Sequence, residues 1–134
     1  MKKLFVTALT LGFFAVLPAT ADDTPLAEQM DVLNDAYKAI RRTDDAAEGA
    51  KLAREAQLAV IKGITMTPSY VEKGGHPEGK EKAMVSYRKQ MAELIVVLCD
   101  VEAAFLADDF DKVKELVTPL KESKKKGHGE FIEE

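Results

Sequence analysis

A helical period through residues 78–107 constrains the fold of this chain more than any other feature. Apolar side chains recur there at steps of three and four residues: Met84, Tyr87, Met91, Leu94, Leu98, Val101 and Phe105. This spacing places them on one face of a long helix and is typical of a seam between packed helices. The rest of the chain shows no strand-type alternation and no internal repeat, so the sequence predicts an all-α fold.

Three further segments are amphipathic with the same period. The first begins at Thr24-Pro25, an N-cap followed by proline at the first helical position. The second begins after Arg42, with Asp45 to Glu48 as a capping box and Thr43 as an alternative cap, and Asp108-Asp109 caps the last. The predicted inner faces are Leu26, Met30, Leu33, Tyr37 and Ile40; Ala46, Ala50, Ala53, Val60, Ile61 and Ile64; and Val113, Leu116, Val117, Leu120, His128 and Phe131. Four such helices predict an antiparallel up-down-up-down four-helix bundle.

Two stretches interrupt this regular pattern. Residues 65–79 hold Gly74, Gly75, Pro77 and Gly79 and are expected to form the one long loop, with His76 exposed in it. The alternative for His76 is a role as an iron ligand. Pro119 removes a backbone hydrogen bond inside the last helix, so we expect a kink or break near residues 115–118.

The first 21 residues have the pattern of a secretory signal. Lys2 and Lys3 precede an apolar run from Leu4 to Val16, and Ala19-Thr-Ala21 is a small-x-small cleavage site. The run is too short for a stable transmembrane helix, which needs about 20 apolar residues. The sequence therefore predicts a signal peptide over residues 1–21 and one periplasmic domain over residues 22–134, without membrane insertion.

Charge and cysteine content exclude several classes of function. The chain carries 19 basic and 23 acidic side chains, and loss of Lys2 and Lys3 with the signal would change its net charge from −4 to about −6. Nucleic acid, which requires a basic face, is therefore not an expected partner. Cys99 is the only cysteine, which excludes an internal disulfide and haem attachment through a Cys-x-x-Cys-His motif. We expect it to be a small buried side chain, with a reactive or dimer-linking thiol as the alternative.

Met30 and His128 are the candidate functional residues. In an up-down-up-down bundle, the start of the first helix and the end of the last lie at the same end, so the two side chains are expected to face each other. Met30 could simply fill the core, but a thioether and a neutral imidazole together are an axial ligand pair of haem iron. The lysines at 121 and 124–126 either complement the helix dipole or attract an acidic redox partner or a haem propionate.

The segment Leu26-Ala-Glu-Gln-Met30-Asp-Val-Leu-Asn-Asp35 resembles the opening helix of the soluble cytochrome b562 family. Lys112-Val-Lys-Glu115 is similar to the start of that family's fourth helix, and Leu120-Lys with His128 is similar to the segment that carries the axial histidine. The resemblance implies an exported four-helix bundle that holds one non-covalent haem b per chain. It also implies Met30 and His128 as the axial ligands, and electron exchange with an unidentified redox partner protein.

Two other classes of function remain at this point. A haem-free periplasmic bundle that acts as a binding or sensing module is the alternative, since Gly127 and Gly129 loosen the backbone around His128. An enzyme is not expected: the sequence has no nucleophile–base pair, no Glu-x-x-His motif of di-iron bundles and no Gly-rich phosphate loop. The absorption spectrum of protein purified from haem-replete cells distinguishes the haem carrier from the haem-free bundle.

Overall fold

The computed structural model describes residues 23–133, which form five α-helices and no strand. The helices are α1 (Pro25–Ile40), α2 (Ala46–Gly63), α3 (Ser69–Glu72), α4 (Lys80–Leu106) and α5 (Phe110–Phe131). The all-α prediction is confirmed for this part of the chain. The predicted signal peptide and its cleavage site lie outside the described residues.

The helix starts follow the predicted caps. The side chains of Thr24, Asp45 and Asp109 each accept a hydrogen bond from the N–H three residues further along, at 3.1, 2.9 and 2.9 Å. Each bond satisfies one of the free N–H groups of a first helical turn. Asp45 rather than Thr43 caps α2, and the Thr43 hydroxyl accepts from the Asp45 N–H at 3.2 Å.

The core lies between the four long helices. Its least exposed large side chains are Phe105, Ile40, Leu98, Val60, Val71 and Val101. The buried face of α2 consists mostly of glycine and alanine, which allows α4 to approach closely. A Cβ at Gly49 would lie 2.3 Å from the Phe105 ring, so the ring occupies the space that any larger residue would need.

One end of the molecule, which we call the Gly63 end, joins four helix termini. The terminal carbons of Leu26 and Met30 on α1 lie 3.2 and 3.3 Å from the position of a Cβ on Gly63, near the end of α2. The Tyr87 hydroxyl, near the start of α4, donates to the Gly63 carbonyl at 2.7 Å. Tyr87 also contacts Phe131 at the end of α5. The start of α1 and the end of α5 therefore lie at the same end of the bundle.

The described chain has fewer breaks than predicted. The stretch 65–79 is not one irregular loop, because it contains α3, whose Val71 is 1% exposed. The predicted break at Pro119 is also absent, since α5 continues to Phe131. Buried Val113 and Leu120 hold the helix against the core on both sides of the proline, and this packing offsets the lost hydrogen bond of about 3 kcal/mol.

Two predicted core residues are exposed. Ile61 retains 49% of its surface, because it lies about 100° around α2 from buried Val60. Cys99 is exposed for the same reason, since the buried residue at that turn of α4 is Leu98. No helix within residues 23–133 is long and apolar enough to cross a membrane.

Candidate functional site

Met30 lies on the inner face of α1, where the 3–4 spacing placed it. It is partly buried and packs against the core cluster. Its terminal carbon is near Gly63, beside the terminal carbons of Leu26 and Met91. The thioether therefore lies at the Gly63 end and retains some exposure.

His128 does not continue the buried stripe of α5, and the prediction that it faces the core was wrong. Its side chain is exposed, whereas Val113, Leu120 and Phe131 are buried. At 100° per residue, His128 lies about 60° from Val113 and about 80° from Leu120. The expectation depended on its alignment with Val117, which is itself only half-buried.

The position of His128 around α5 places it on the side nearer α1. The Lys124 ammonium, one turn earlier, donates to the Asn34 side-chain oxygen of α1 at 2.9 Å and lies 5.9 Å from the Tyr37 ring centre. His128 is about 40° around the helix from Lys124 but about 160° from Glu130, which contacts α4. His128 therefore shares the side of α5 that contacts α1.

The Asn34–Lys124 hydrogen bond also relates the heights of the two candidate ligands. Met30 is one turn before Asn34, and His128 is one turn after Lys124. Because the start of α1 and the end of α5 lie at the same end, both steps run in the same direction by about 6 Å. Met30 and His128 thus lie at similar heights, and the described Cα atoms of α1 and α5 stay more than 8 Å apart.

The protonation state of His128 suits metal binding. Partial burial lowers the pKa of His128, and the positive charge of Lys124 lowers it further. The imidazole is therefore neutral at pH 7 and retains a lone pair. With the Met30 thioether, this donor set has the chemistry of a haem axial pair.

His76 differs from its prediction as an exposed loop residue. It is 8% exposed, and its ring stacks on Phe131 with the centres 6.0 Å apart. Its Nδ1 accepts from the Glu78 N–H at 3.2 Å. Its Nε2 lies 3.6 Å from the Glu130 carboxylate, so both ring nitrogens already face partners within the protein. In this arrangement His76 is a packed structural residue rather than an iron ligand.

Sequence reasoning missed a polar network around Glu130. The Ser86 hydroxyl donates to one carboxylate oxygen at 2.6 Å, and the Gln90 amide donates to the other. Burial raises the pKa of Glu130, but hydrogen bonds from Ser86 and Gln90 and the nearby charges of His76 and Lys126 lower it overall. The only signal in the sequence is the four-residue spacing of Ser86 and Gln90, which puts two polar side chains on one face of α4.

A cavity of about 730 Å³ opens beside the end of α5. Its walls are both polar and apolar and are formed by Tyr70, His76, Pro77, Glu78, Gly129, Glu130, Ile132 and Glu133. Neither Met30 nor His128 lines it. This cavity is therefore separate from the space between α1 and α5.

Comparison with known proteins gives one match. The family model described as cytochrome b562 matches residues 25–131, which span all five helices. No curated protein and no solved structure gives a match.

Proposed function

We propose a function that starts from one established premise: the chain belongs to the cytochrome b562 family. The family consists of haem-binding electron-transfer cytochromes, not enzymes. Our proposal is more specific. The chain is a periplasmic electron carrier with one non-covalent haem b, held between Met30 and His128, in a bundle whose long helices run up, down, up and down.

The observation that carries this proposal is the Asn34–Lys124 hydrogen bond. It connects α1 to α5 one turn from Met30 and one turn from His128, which supports a site between these helices that both donors could reach. One donor is a thioether and the other is a neutral imidazole, which is the donor set that haem iron accepts in electron-transfer cytochromes. Met30 is partly exposed and His128 is exposed, so both side chains are accessible to a group that binds between the helices.

These two side chains would determine the chemistry of the site. Bound haem supplies a one-electron redox couple. If Met30 and His128 both held the haem iron, no position on it would remain for a substrate, which would favour electron transfer over catalysis. Methionine opposite histidine favours the ferrous state relative to two histidines. The exposed lysines at 121 and 125 lie within about 60° of His128 around α5, and this basic surface would suit an acidic redox partner.

The proposed location depends on the signal at residues 1–21. Export would remove this segment and leave a protein that begins at Asp22. N-terminal sequencing of the periplasmic fraction tests this directly. A product that keeps the apolar run would contradict the proposal.

Absorption spectra of ligand variants test the haem site. The wild-type chain should bind one haem with a six-coordinate, low-spin spectrum. Met30→Ala should open one axial position and shift the iron toward high spin, and His128→Ala should weaken binding more. Met84→Ala, which also truncates a partly buried methionine, is the matched control and should keep the low-spin spectrum. An unchanged spectrum in His128→Ala would remove that residue as a ligand.

The exposure of His128 favours a second candidate, a haem-free bundle that binds or senses a partner. Gly127 and Gly129 leave the imidazole on a backbone with few constraints of its own. The same experiment decides between the two. A wild-type chain that shows no haem spectrum after titration with haem would support this alternative.

A further inference from the structure

We infer that Glu130 is the positioning residue for His128. Its carboxylate is held by side chains of α4, and this fixes the glycine-flanked turn that carries the imidazole. The inference rests on the proposed function, because it concerns how the structure places a haem ligand. It adds Glu130, Ser86 and Gln90 to the residues on which haem binding depends.

The turn around His128 needs an external constraint. A Cβ on Gly129 would meet nothing within 4 Å, and a Cβ on Gly127 would meet only the Gln90 side-chain oxygen at 3.9 Å. Neither glycine is therefore required by a close contact, and both add backbone freedom. The helix ends soon after, where the Ile132 N–H donates to the His128 carbonyl at 3.2 Å. The last turn of α5 would fray without contacts to other helices.

Glu130 supplies such a contact through both of its oxygens. Ser86 donates to one and Gln90 to the other, and Gln90 also donates to the Ser86 hydroxyl at 3.2 Å. Hydrogen bonds to an ionised carboxylate are about twice as strong as bonds between neutral groups. Three side chains on two helices thus form a closed triangle, which fixes both the rotation and the height of the last turn of α5.

Phe131 provides a second anchor that leads back to Met30. Its buried ring packs edge-to-face against the Tyr87 ring, with the ring centres 5.3 Å apart. The Tyr87 hydroxyl in turn donates a hydrogen bond to the Gly63 carbonyl. Met30 packs beside Gly63. The turn that carries His128 and the side chain of Met30 are therefore both placed relative to Gly63, so that a shift of the last turn of α5 would change the separation between the two ligands.

Glu130 lies about 160° around α5 from His128, so it faces away from the proposed haem. It would act through the backbone, and its loss should disturb ligand geometry without removing a ligand. The expected signs are weaker haem affinity and a mixed spin state. Loss of packing alone would lower the melting temperature without changing the spin state of bound haem.

The test compares Glu130→Ala with Glu122→Ala in the full chain. Glu122 is an exposed glutamate of the same helix and serves as the matched control. Ser86→Ala and Gln90→Ala remove the same contact from α4 and leave the sequence of α5 unchanged. Each variant is titrated with haem, and the low-spin fraction, the reduction potential and the apo melting curve are measured.

We expect Glu130→Ala to raise the haem dissociation constant about tenfold, at the low end of effects seen for residues that orient metal ligands. The high-spin fraction should rise, and the two α4 variants should change it in the same direction. Glu122→Ala should match the wild type. If Glu130→Ala keeps wild-type affinity, spin state and potential, the positioning role is refuted, even when it melts earlier.

Failure of this inference differs from failure of the proposed function. Loss of low-spin haem in His128→Ala, together with a wild-type spectrum in Glu130→Ala, would refute only the positioning role. A wild-type chain that binds no haem, or an unaffected His128→Ala, would refute both.

Discussion

Three helical glycines provide a test of the structure, because replacement by alanine should stabilise the protein at two of them and destabilise it at the third. Gly127 and Gly129 lie in the last turns of α5 with space for a methyl group. Gly49 lies in the first turn of α2, where a methyl group would lie 2.3 Å from the Phe105 ring. None of the three has a positive φ angle, so the backbone conformation itself allows alanine at each position.

The expected magnitudes follow from helix propensity and packing. Alanine is favoured over glycine in a helix by about 0.5–1 kcal/mol, so Gly127→Ala with Gly129→Ala should stabilise the apo protein by about 1–2 kcal/mol. At Gly49 the same gain is opposed by overpacking, which costs about 1–3 kcal/mol. Contact at 2.3 Å with a rigid ring puts that cost at the upper end of this range. Gly49→Ala should therefore destabilise the protein by roughly 2 kcal/mol.

Thermal and urea unfolding of the apo protein measure both effects. A change of 1 kcal/mol corresponds to a shift in melting temperature of about 4 °C or slightly more for a domain of this size. The double variant in α5 should melt higher and Gly49→Ala should melt lower, with unchanged urea m-values. A Gly49→Ala variant as stable as the wild type would refute the placement of Phe105 against α2, and a destabilised Gly129→Ala would refute the continuous helix at the end of α5.

Three further predictions concern single side chains. A hydrogen bond from Gln57 lowers the pKa of Glu102, burial opposes this, and the hydrogen bonds and charge of Arg54 lower the pKa further. The folded state therefore binds fewer protons than the unfolded state, so its stability should fall as the pH drops below the ordinary carboxyl range. Urea unfolding at several pH values should show a smaller fall in the Glu102→Gln variant. Phe105→Ala should cost about 3–5 kcal/mol of unfolding free energy. His76→Ala should cost about 0.5–3 kcal/mol, because it removes a buried ring that packs on Phe131, and should leave bound haem low-spin.

The sequence was sufficient to predict the helices because their signals are local. Thr24, Asp45 and Asp109 each cap a helix through a bond to the third residue along, and such bonds depend only on neighbours in the chain. The regular apolar spacing of α4 likewise identified its buried face, including Tyr87 and Phe105. The resemblance to cytochrome b562 was also recognisable from short motifs, and the family match confirms it.

The errors arose where burial depends on distant parts of the chain. His76 looked like an exposed loop residue because glycine and proline surround it, but it is buried against the Phe131 ring and near the Glu130 carboxylate of α5. Cys99 is apolar and lies within an apolar run, yet no helix covers that face of α4 in the described chain. Glu130 looked like one of many surface acids, because its partners Ser86 and Gln90 lie 44 and 40 residues away.

The absence of a break at Pro119 matters for the proposed site, because helix arithmetic is valid only along a continuous helix. After a break near residues 115–118, the angular position of His128 around the helix could not be calculated from that of Val113, and the direction of the final segment would be undefined. Because α5 runs without interruption to Phe131, the Asn34–Lys124 contact and the Ser86–Glu130 contact lie on one continuous helix. One contact faces α1 and the other faces α4, so together they define the rotation of the end of α5. The side of α5 that carries His128 is thereby the side that contacts α1, and neither defining contact involves His128 itself.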